Sequence, residues 1–255
     1  MKVIPKKRLG QHFLRNEDIA LRIVESVQSE NRNILEIGPG TGALTKYLIQ
    51  QKNIDLKVVE LDEESIVFLK VHYPALAPNI IARDFLTLPL EEIYKEPLTI
   101  IGNFPYNISS QILFKVLENK EIITELVGMF QKEVAERVAA LPGKKAYGIL
   151  SVLLQAFYDI EYLFTVDEYQ FDPPPKVKSA VIRITKNNSK SLSCDESLFK
   201  HVVKTAFNQR RKTLRNSLKS ISFIPDFTKE AIFDKRPEQL TPGEFETICL
   251  NVISK

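Results

Sequence analysis

The 255-residue sequence has two cysteines and three histidines. Cys194 and Cys249 form no C-x-x-C pair, and His12, His72 and His201 lie far apart. This pattern speaks against a disulfide framework and a structural zinc site, so no metal is expected and a reducing cytoplasm is the expected setting. No apolar run approaches the ~18–20 residues of a membrane helix, so no membrane association is expected. The opening Met1-Lys2-Val3-Ile4-Pro5-Lys6-Lys7-Arg8 is followed by no apolar signal core, and secretion is not expected. There is no internal repeat and no long unexplained apolar stripe, so a monomer is expected. What is present, 44% hydrophobic and 26% charged residues, describes an ordinary globular chain, neither disordered nor fibrous.

The net charge of +3 conceals an uneven distribution. Residues 1–15 carry five basic side chains and no acid. Residues 200–219 carry Lys200, Lys204, Arg210, Arg211, Lys212, Arg215 and Lys219, again without an acid, which leaves −9 for the rest of the chain. An acidic body with two basic patches suits a polyanion held at defined places; solvated helix faces are the plainer alternative.

Asn16 precedes a helically spaced Ile19, Ala20, Ile23, Val24 and Val27 and is suited to cap that helix. Short apolar strands are expected at 33–37, 56–61, 79–82, 98–102 and 126–130. Helices are expected at 43–51, 63–71 and 109–117. This alternation implies an α/β fold with a parallel sheet covered by helices on both faces. Segments 161–164 and 179–184 are expected to add antiparallel strands around the turn Asp172-Pro173-Pro174-Pro175. The polar stretch 186–191 resembles a linker, and beyond it the pattern is helical. Thr241-Pro242-Gly243-Glu244 is a capping box with proline at the first helical position. The expected division is therefore 1–188 and 189–255.

The first strand runs into Gly38-Pro39-Gly40-Thr41-Gly42 and a helix. Such a loop lets backbone approach a nucleotide without a Cβ in the way. Glu60 ends the next strand 20 residues past Gly40 and is suited to accept hydrogen bonds from ribose hydroxyls. Gly38-x-Gly40-x-x-Ala43 also satisfies a dinucleotide fingerprint, so at this point an NAD enzyme and a purely structural turn both stay open. Asp84 ends the third strand, suited to the exocyclic amine of an adenine. Asn103-Phe104-Pro105-Tyr106 ends the fourth. Ligands of open α/β sheets bind outside the carboxyl ends of the strands, so these features converge on one crevice. The Asn103 side-chain oxygen and the Phe104 carbonyl make two acceptors for an –NH₂ group, and Tyr106 offers a flat face to the base bearing it. A turn with core aromatics is the structural alternative.

Five segments, in order, carry a resemblance that covers nearly the whole chain. They are Lys7-Arg8-Leu9-Gly10-Gln11-His12-Phe13-Leu14, Glu36-Ile37-Gly38-Pro39-Gly40-Thr41-Gly42-Ala43-Leu44-Thr45, Asn103-Phe104-Pro105-Tyr106-Asn107-Ile108-Ser109, Phe171-Asp172-Pro173-Pro174-Pro175-Lys176-Val177-Lys178-Ser179 and Ala206-Phe207-Asn208-Gln209-Arg210-Arg211-Lys212-Thr213-Leu214-Arg215-Asn216. The chain resembles the S-adenosylmethionine-dependent rRNA adenine N6,N6-dimethyltransferases, and among them the bacterial small-subunit branch associated with kasugamycin resistance. The resemblance implies a seven-stranded Rossmann-like methyltransferase sheet with a small C-terminal all-helical domain. It implies S-adenosyl-L-methionine contacts from His12, Leu14, Gly38, Gly40, Glu60, Asp84 and Asn103, and a target adenine sandwiched by Tyr106 and Phe171. Asn103, Phe104, Tyr106 and Phe171 are then the expected catalytic residues. Phe104 stands where leucine is commoner, and His12 where asparagine often is.

The implied reaction is methyl transfer to adenine N6, twice per base, on two adjacent adenines in the 3′-terminal hairpin loop of small-subunit rRNA within a pre-small-subunit particle. Arg210, Arg211, Lys212 and Arg215 then read as RNA-backbone contacts, with packing or pairing against the acidic catalytic domain as the alternative for some of them. The alternatives are a large-subunit rRNA enzyme of macrolide resistance, a glutamine or DNA-amine methyltransferase, and an assembly factor without turnover.

Overall fold

The computed structural model describes residues 3–253; Met1 and Lys2 of the basic N-terminal stretch, and Ser254 and Lys255, lie outside the described residues. The strands are β1 (Phe13–Leu14), β2 (Asn33–Ile37), β3 (Asp55–Glu60), β4 (Ile80–Ala82), β5 (Leu98–Asn103), β6 (Ile123–Gln131), β7 (Tyr158–Val166), β8 (Phe171–Asp172) and β9 (Ser179–Lys186). The α-helices are α1 (Glu17–Glu25), α2 (Thr45–Leu48), α3 (Glu63–His72), α4 (Leu90–Ile93), α5 (Ser109–Glu118), α6 (Lys132–Ala139), α7 (Ile149–Gln155), α8 (Glu196–Asn208), α9 (Leu214–Ser217) and α10 (Pro242–Leu250). Seven strands form one sheet in the order β4-β3-β2-β5-β6-β9-β7. From β4 to β6 the pairing is parallel, and β9 joins β6 antiparallel.

Buried on both faces, the central strands are largely apolar, with Thr99 and Glu125 as buried polar members. Leu98 to Ile101 of β5 and Glu125 to Phe130 of β6 are all buried. Strand order reverses between β2 and β5: the chain leaves β2 toward β3 and β4, then returns to the other side of β2. At such a switch point the loops after neighbouring strands diverge and leave a crevice at the carboxyl ends.

Two compact units make up the chain. One comprises residues up to 135 together with 160–186; the other comprises 136–159 together with 187 onward. The boundary read near 188 put 136–159 with the sheet. These residues include α7, whose packing neighbours in sequence order come later, in α8 and α10. The second unit buries Phe199, Val202, Val203 and Ala206 of α8 and Phe245, Ile248 and Cys249 of α10. Beyond residue 187 the described residues form helices, turns and irregular connections, with an isolated bridge between Phe223 and Val252.

The Asn16 side chain accepts the Ile19 N–H at 3.0 Å and caps α1. Thr241 and Glu244 form the capping box, with Thr241 N–H donating to Glu244 Oε2 at 2.8 Å. The helix expected over 43–51 shrinks to the four residues of α2, the rest of the segment being turn. Strands β1 and β8, absent from the sequence reading, pair antiparallel as a separate ribbon. Two-residue strands have no periodicity to read.

Asp62 caps α3, accepting the Ser65 N–H at 3.3 Å and the Ser65 hydroxyl at 2.9 Å, and pairs with Lys6. Burial works against its charge, but these hydrogen bonds hold its carboxyl below the ordinary range. Asp62→Ala is therefore expected to lower stability by about 1–2 kcal/mol, read as a lower urea midpoint with an unchanged slope.

Candidate active site

The carboxyl ends of β2, β3, β4 and β5 open onto a cleft of about 930 Å³, mouth included. Gly38, Gly40 and Gly42 all adopt positive φ (65°, 56° and 83°), so the loop after β2 turns where side chains would strain it. At Gly40 a Cβ would also lie 2.8 Å from the Phe13 ring. The Gly40 N–H donates to Glu60 Oε2 at 3.1 Å, and Glu60 Oε1 accepts from the Leu61 and Asp62 N–H groups at 2.8 and 2.9 Å. These three bonds fix a carboxylate that is only 6% exposed yet lines the cleft. Burial raises its pKa while the backbone donors oppose that shift. A carboxylate has about four lone-pair positions, so one remains for an outside donor.

Asp84 also lines the cleft. Its Oδ1 accepts the Leu86 N–H at 2.9 Å, which leaves Oδ2 for a ligand. The 84–88 turn is held from behind by Lys115 of α5, whose Nζ donates to the Leu86 and Leu88 carbonyls at 2.9 and 2.6 Å. Burial depresses the Lys115 pKa. The sequence carried a faint signal for it, a lone lysine among the buried Ile112, Leu113 and Val116, but no reading singled it out.

At the end of β5, Asn103 Nδ2 donates to the His12 carbonyl at 2.9 Å. Because that contact takes the amide nitrogen, Oδ1 faces away from it and accepts no hydrogen bond among the described residues. The Phe104 N–H donates to the Met129 carbonyl at 3.1 Å, while its ring is buried against Phe130 with centroids 4.8 Å apart. The Tyr106 hydroxyl bonds to Ser179, and the Tyr106 ring stacks on His12 at 5.3 Å and 29°. His12 Nδ1 in turn lies 2.7 Å from the Pro173 carbonyl.

The structure thus gathers His12, Gly38, Gly40, Glu60, Asp84, Asn103, Phe104 and Tyr106 around one cleft. Leu14 lines a smaller adjoining recess together with Glu36. Phe171 departs from expectation: only 2% exposed, it pairs with Leu14 across the β1–β8 ribbon and packs in the apolar core. It offers no open face for a base, and the ring found against Tyr106 is that of His12. The four basic candidates divide two and two. Arg210 donates to the Lys145 carbonyl at 2.6 Å, and Arg215 is held by Asp234 at 2.8 Å and the Thr228 carbonyl. Arg211 and Lys212 are exposed. Among the described residues no cluster of three or more His, Cys, Asp or Glu side chains is arranged for a metal, and no helix is long and apolar enough to cross a membrane.

Sheet order and cleft together define a Rossmann-like fold with a ligand site at the switch point of its sheet. The model of the ribosomal RNA adenine dimethylase family matches residues 4–237, and the chain belongs to that family. It is 57% identical over 251 residues to the ribosomal RNA small subunit methyltransferase A of Parabacteroides distasonis, covering 97% of this chain and 94% of the relative. It is also 57% identical to the protein of that name from Cytophaga hutchinsonii, covering 96% and 95%. Among solved structures, a dimethyladenosine transferase from Plasmodium falciparum superposes with a TM-score of 0.80 at 24% identity, covering 94% of this chain and 96% of that one. The 23S rRNA methyltransferase ErmE gives 0.71 at 24% identity, covering 94% and 100%. At these identities the two structures bear on the fold alone.

Glu36 was not among the expected site residues. It is fully buried at the end of β2 and accepts the Thr45 hydroxyl at 2.6 Å; burial first, then the Glu60 charge, pushes its pKa up to about 8. A folded-state pKa above the unfolded value means that the native state holds the proton more tightly. The stabilisation is present below the ordinary carboxylate range and is lost as pH rises toward 8. Glu36→Gln keeps an acceptor for Thr45 without the titration. It is expected to match the parent near pH 5 and exceed its stability near pH 8.5, by on the order of a few kcal/mol, in paired urea titrations.

Proposed function

We propose that this protein transfers methyl groups from S-adenosyl-L-methionine to N6 of two adjacent adenines in the 3′-terminal hairpin loop of small-subunit rRNA, giving N6,N6-dimethyladenosine. Family membership and the small-subunit names of relatives at 57% identity support the substrate. In this reading the enzyme works as a cytoplasmic monomer on a pre-small-subunit particle, with Arg211 and Lys212 meeting RNA phosphates. Arg210 and Arg215, which hold the unit's own loops, would shape that surface.

The residues present fit the cofactor. Glu60 has a lone-pair position left for a ribose hydroxyl, Asp84 Oδ2 is open to an adenine amine, and the Gly38–Gly40 turn keeps side chains out of the approach. Leu14 and His12 belong to the segment closing this side. Bound there, S-adenosylmethionine supplies a sulfonium-activated methyl group.

The observation that carries the reading is the orientation of the Asn103 amide. With Nδ2 committed to the His12 carbonyl, Oδ1 is presented as an acceptor beside the Phe104 backbone. Two acceptors on an exocyclic amine draw its lone pair out of conjugation with the ring and disperse the positive charge that N6 gains. N6 takes the methyl carbon as sulfur leaves with the bonding pair, then sheds one proton to water. Positioning and charge stabilisation account for such a step without a dedicated base. Tyr106 carries the base on its ring, and an adenine in this pose must first leave its stack.

Labelled S-adenosylmethionine is to be incubated with undermethylated small subunits, large subunits and naked rRNA, and products read by nucleoside mass spectrometry. Dimethyladenosine in small-subunit rRNA, reduced at least ~100-fold by Asn103→Ala, is the expected result. Label confined to large-subunit rRNA, or binding without transfer, contradicts it. Lys115→Met is expected to weaken S-adenosylmethionine binding about three- to tenfold by calorimetry while Lys115→Arg retains most of it, because only the arginine can still donate to the 84–88 carbonyls. Equal affinities for the two variants would contradict a positioning role.

A further inference from the structure

The Phe104 ring occupies space that exists only because two neighbouring residues have no side chain. Gly102 of β5 and Gly128 of β6 are partners in the parallel register, side by side on adjacent strands. A Cβ built on Gly128 would fall 2.0 Å from Phe104 Cε2 and 2.8 Å from both Cδ2 and Cζ. On Gly102 it would fall 2.7 Å from Phe104 Cε1 and 2.8 Å from the Ile37 carbonyl oxygen. The ring therefore folds back over its own strand and lies against bare backbone, with Phe130 beside it and 1% of the residue exposed.

Around this ring the chain has little freedom. The Phe104 N–H is tied to the Met129 carbonyl in the strand next door, and the following residue is Pro105, whose ring fixes φ. Asn103 before it is tied through Nδ2 to His12. Ring, N–H and proline together determine where the peptide between Phe104 and Pro105 lies, and so where its carbonyl lies relative to Asn103 Oδ1. We infer that Gly128, with Gly102 beside it, is a positioning residue for methyl transfer: the bare backbone of β6 seats the Phe104 ring and thereby sets the spacing of the two acceptors that receive the substrate amine. Phe104 and Gly128 form a matched large and small pair, and neither size is expected to work well with the other changed.

The inference rests on the methyl-transfer reading and has its own failure. A Cβ at 2.0 Å forces the ring to move by more than an ångström to regain ordinary contact, and misplacement on that scale costs about 100-fold in rate. Gly128→Ala is expected to lower kcat per S-adenosylmethionine-binding site by ~10- to 100-fold while the cofactor Kd, measured by calorimetry, changes less than about twofold. Adding Phe104→Leu removes the clashing ring atoms and is expected to recover most of that loss. A merely structural role would lower the melting temperature and the yield of active sites but would leave kcat per site unmoved.

Three results would overturn the inference: kcat per site for Gly128→Ala within about twofold of the parent, a cofactor Kd that worsens in proportion to kcat, or a double variant no faster than Gly128→Ala. Where Gly128→Ala does not fold, Phe104→Ala decides, since it empties the seat without a clash. It is expected to lose at least ~10-fold in kcat per site at unchanged cofactor Kd, and parental kcat would refute the seat. A parent enzyme that methylates no adenine would instead defeat the reading on which the inference rests.

Discussion

Reversal of strand order between β2 and β5 is the constraint from which the rest of the site follows. A parallel sheet needs crossovers, and when successive crossovers leave a central strand on opposite sides the loops at its carboxyl edge diverge. Here the divergence leaves room above Gly38 and brings Glu60, Asp84 and Asn103, each at or just past the end of its strand, to the rim of one cleft. Their roles differ because their surroundings differ. Glu60 is locked by three backbone donors, Asp84 keeps one oxygen open, and Asn103 has its nitrogen taken and its oxygen left.

The N-terminal segment completes what the sheet begins. It is anchored at one end by Lys6 on Asp62 and Glu64 and further along by the β1–β8 pairing and the Arg15–Asp172 contact. Between these anchors Gln11, His12 and Phe13 line the cleft. The His12 carbonyl orients the Asn103 amide while the His12 ring stacks on Tyr106, so one residue touches both the acceptor and the aromatic face of the proposed adenine site. Surface pairs such as Arg15–Asp172 contribute little alone. Their effect is to restrict a short segment that makes only two strand residues of its own.

Much of the fold was legible because buried parallel strands and capped helices leave strong local patterns. Residues 98–102, Asn16 and Thr241-x-x-Glu244 each carried their own signal, and the motif order placed most of the cleft. What stayed hidden depends on contacts distant in sequence. Nothing local distinguishes Phe171 as a core residue from Phe171 as a stacking surface; its burial follows from pairing with Leu14. Residues 136–159 looked continuous with the sheet because the helices they join lie later in the chain. Arg210 and Arg215 read as RNA-backbone contacts because their partners within the chain, the Lys145 carbonyl and Asp234, are well separated from them in sequence. Lys115 and Gly128 act through carbonyls and a ring that only the folded chain brings near.

In the proposed reaction two fixed acceptors, Asn103 Oδ1 and the Phe104 carbonyl, receive an adenine amine. The most direct test of this arrangement is a crystal structure with S-adenosylhomocysteine and adenosine bound. N6 is expected at hydrogen-bonding distance, about 3 Å, from both oxygens, with the base lying along the Tyr106 ring and the Asn103 nitrogen still on His12. An adenine bound elsewhere, or an Asn103 amide turned so that its nitrogen faces the base, would contradict it.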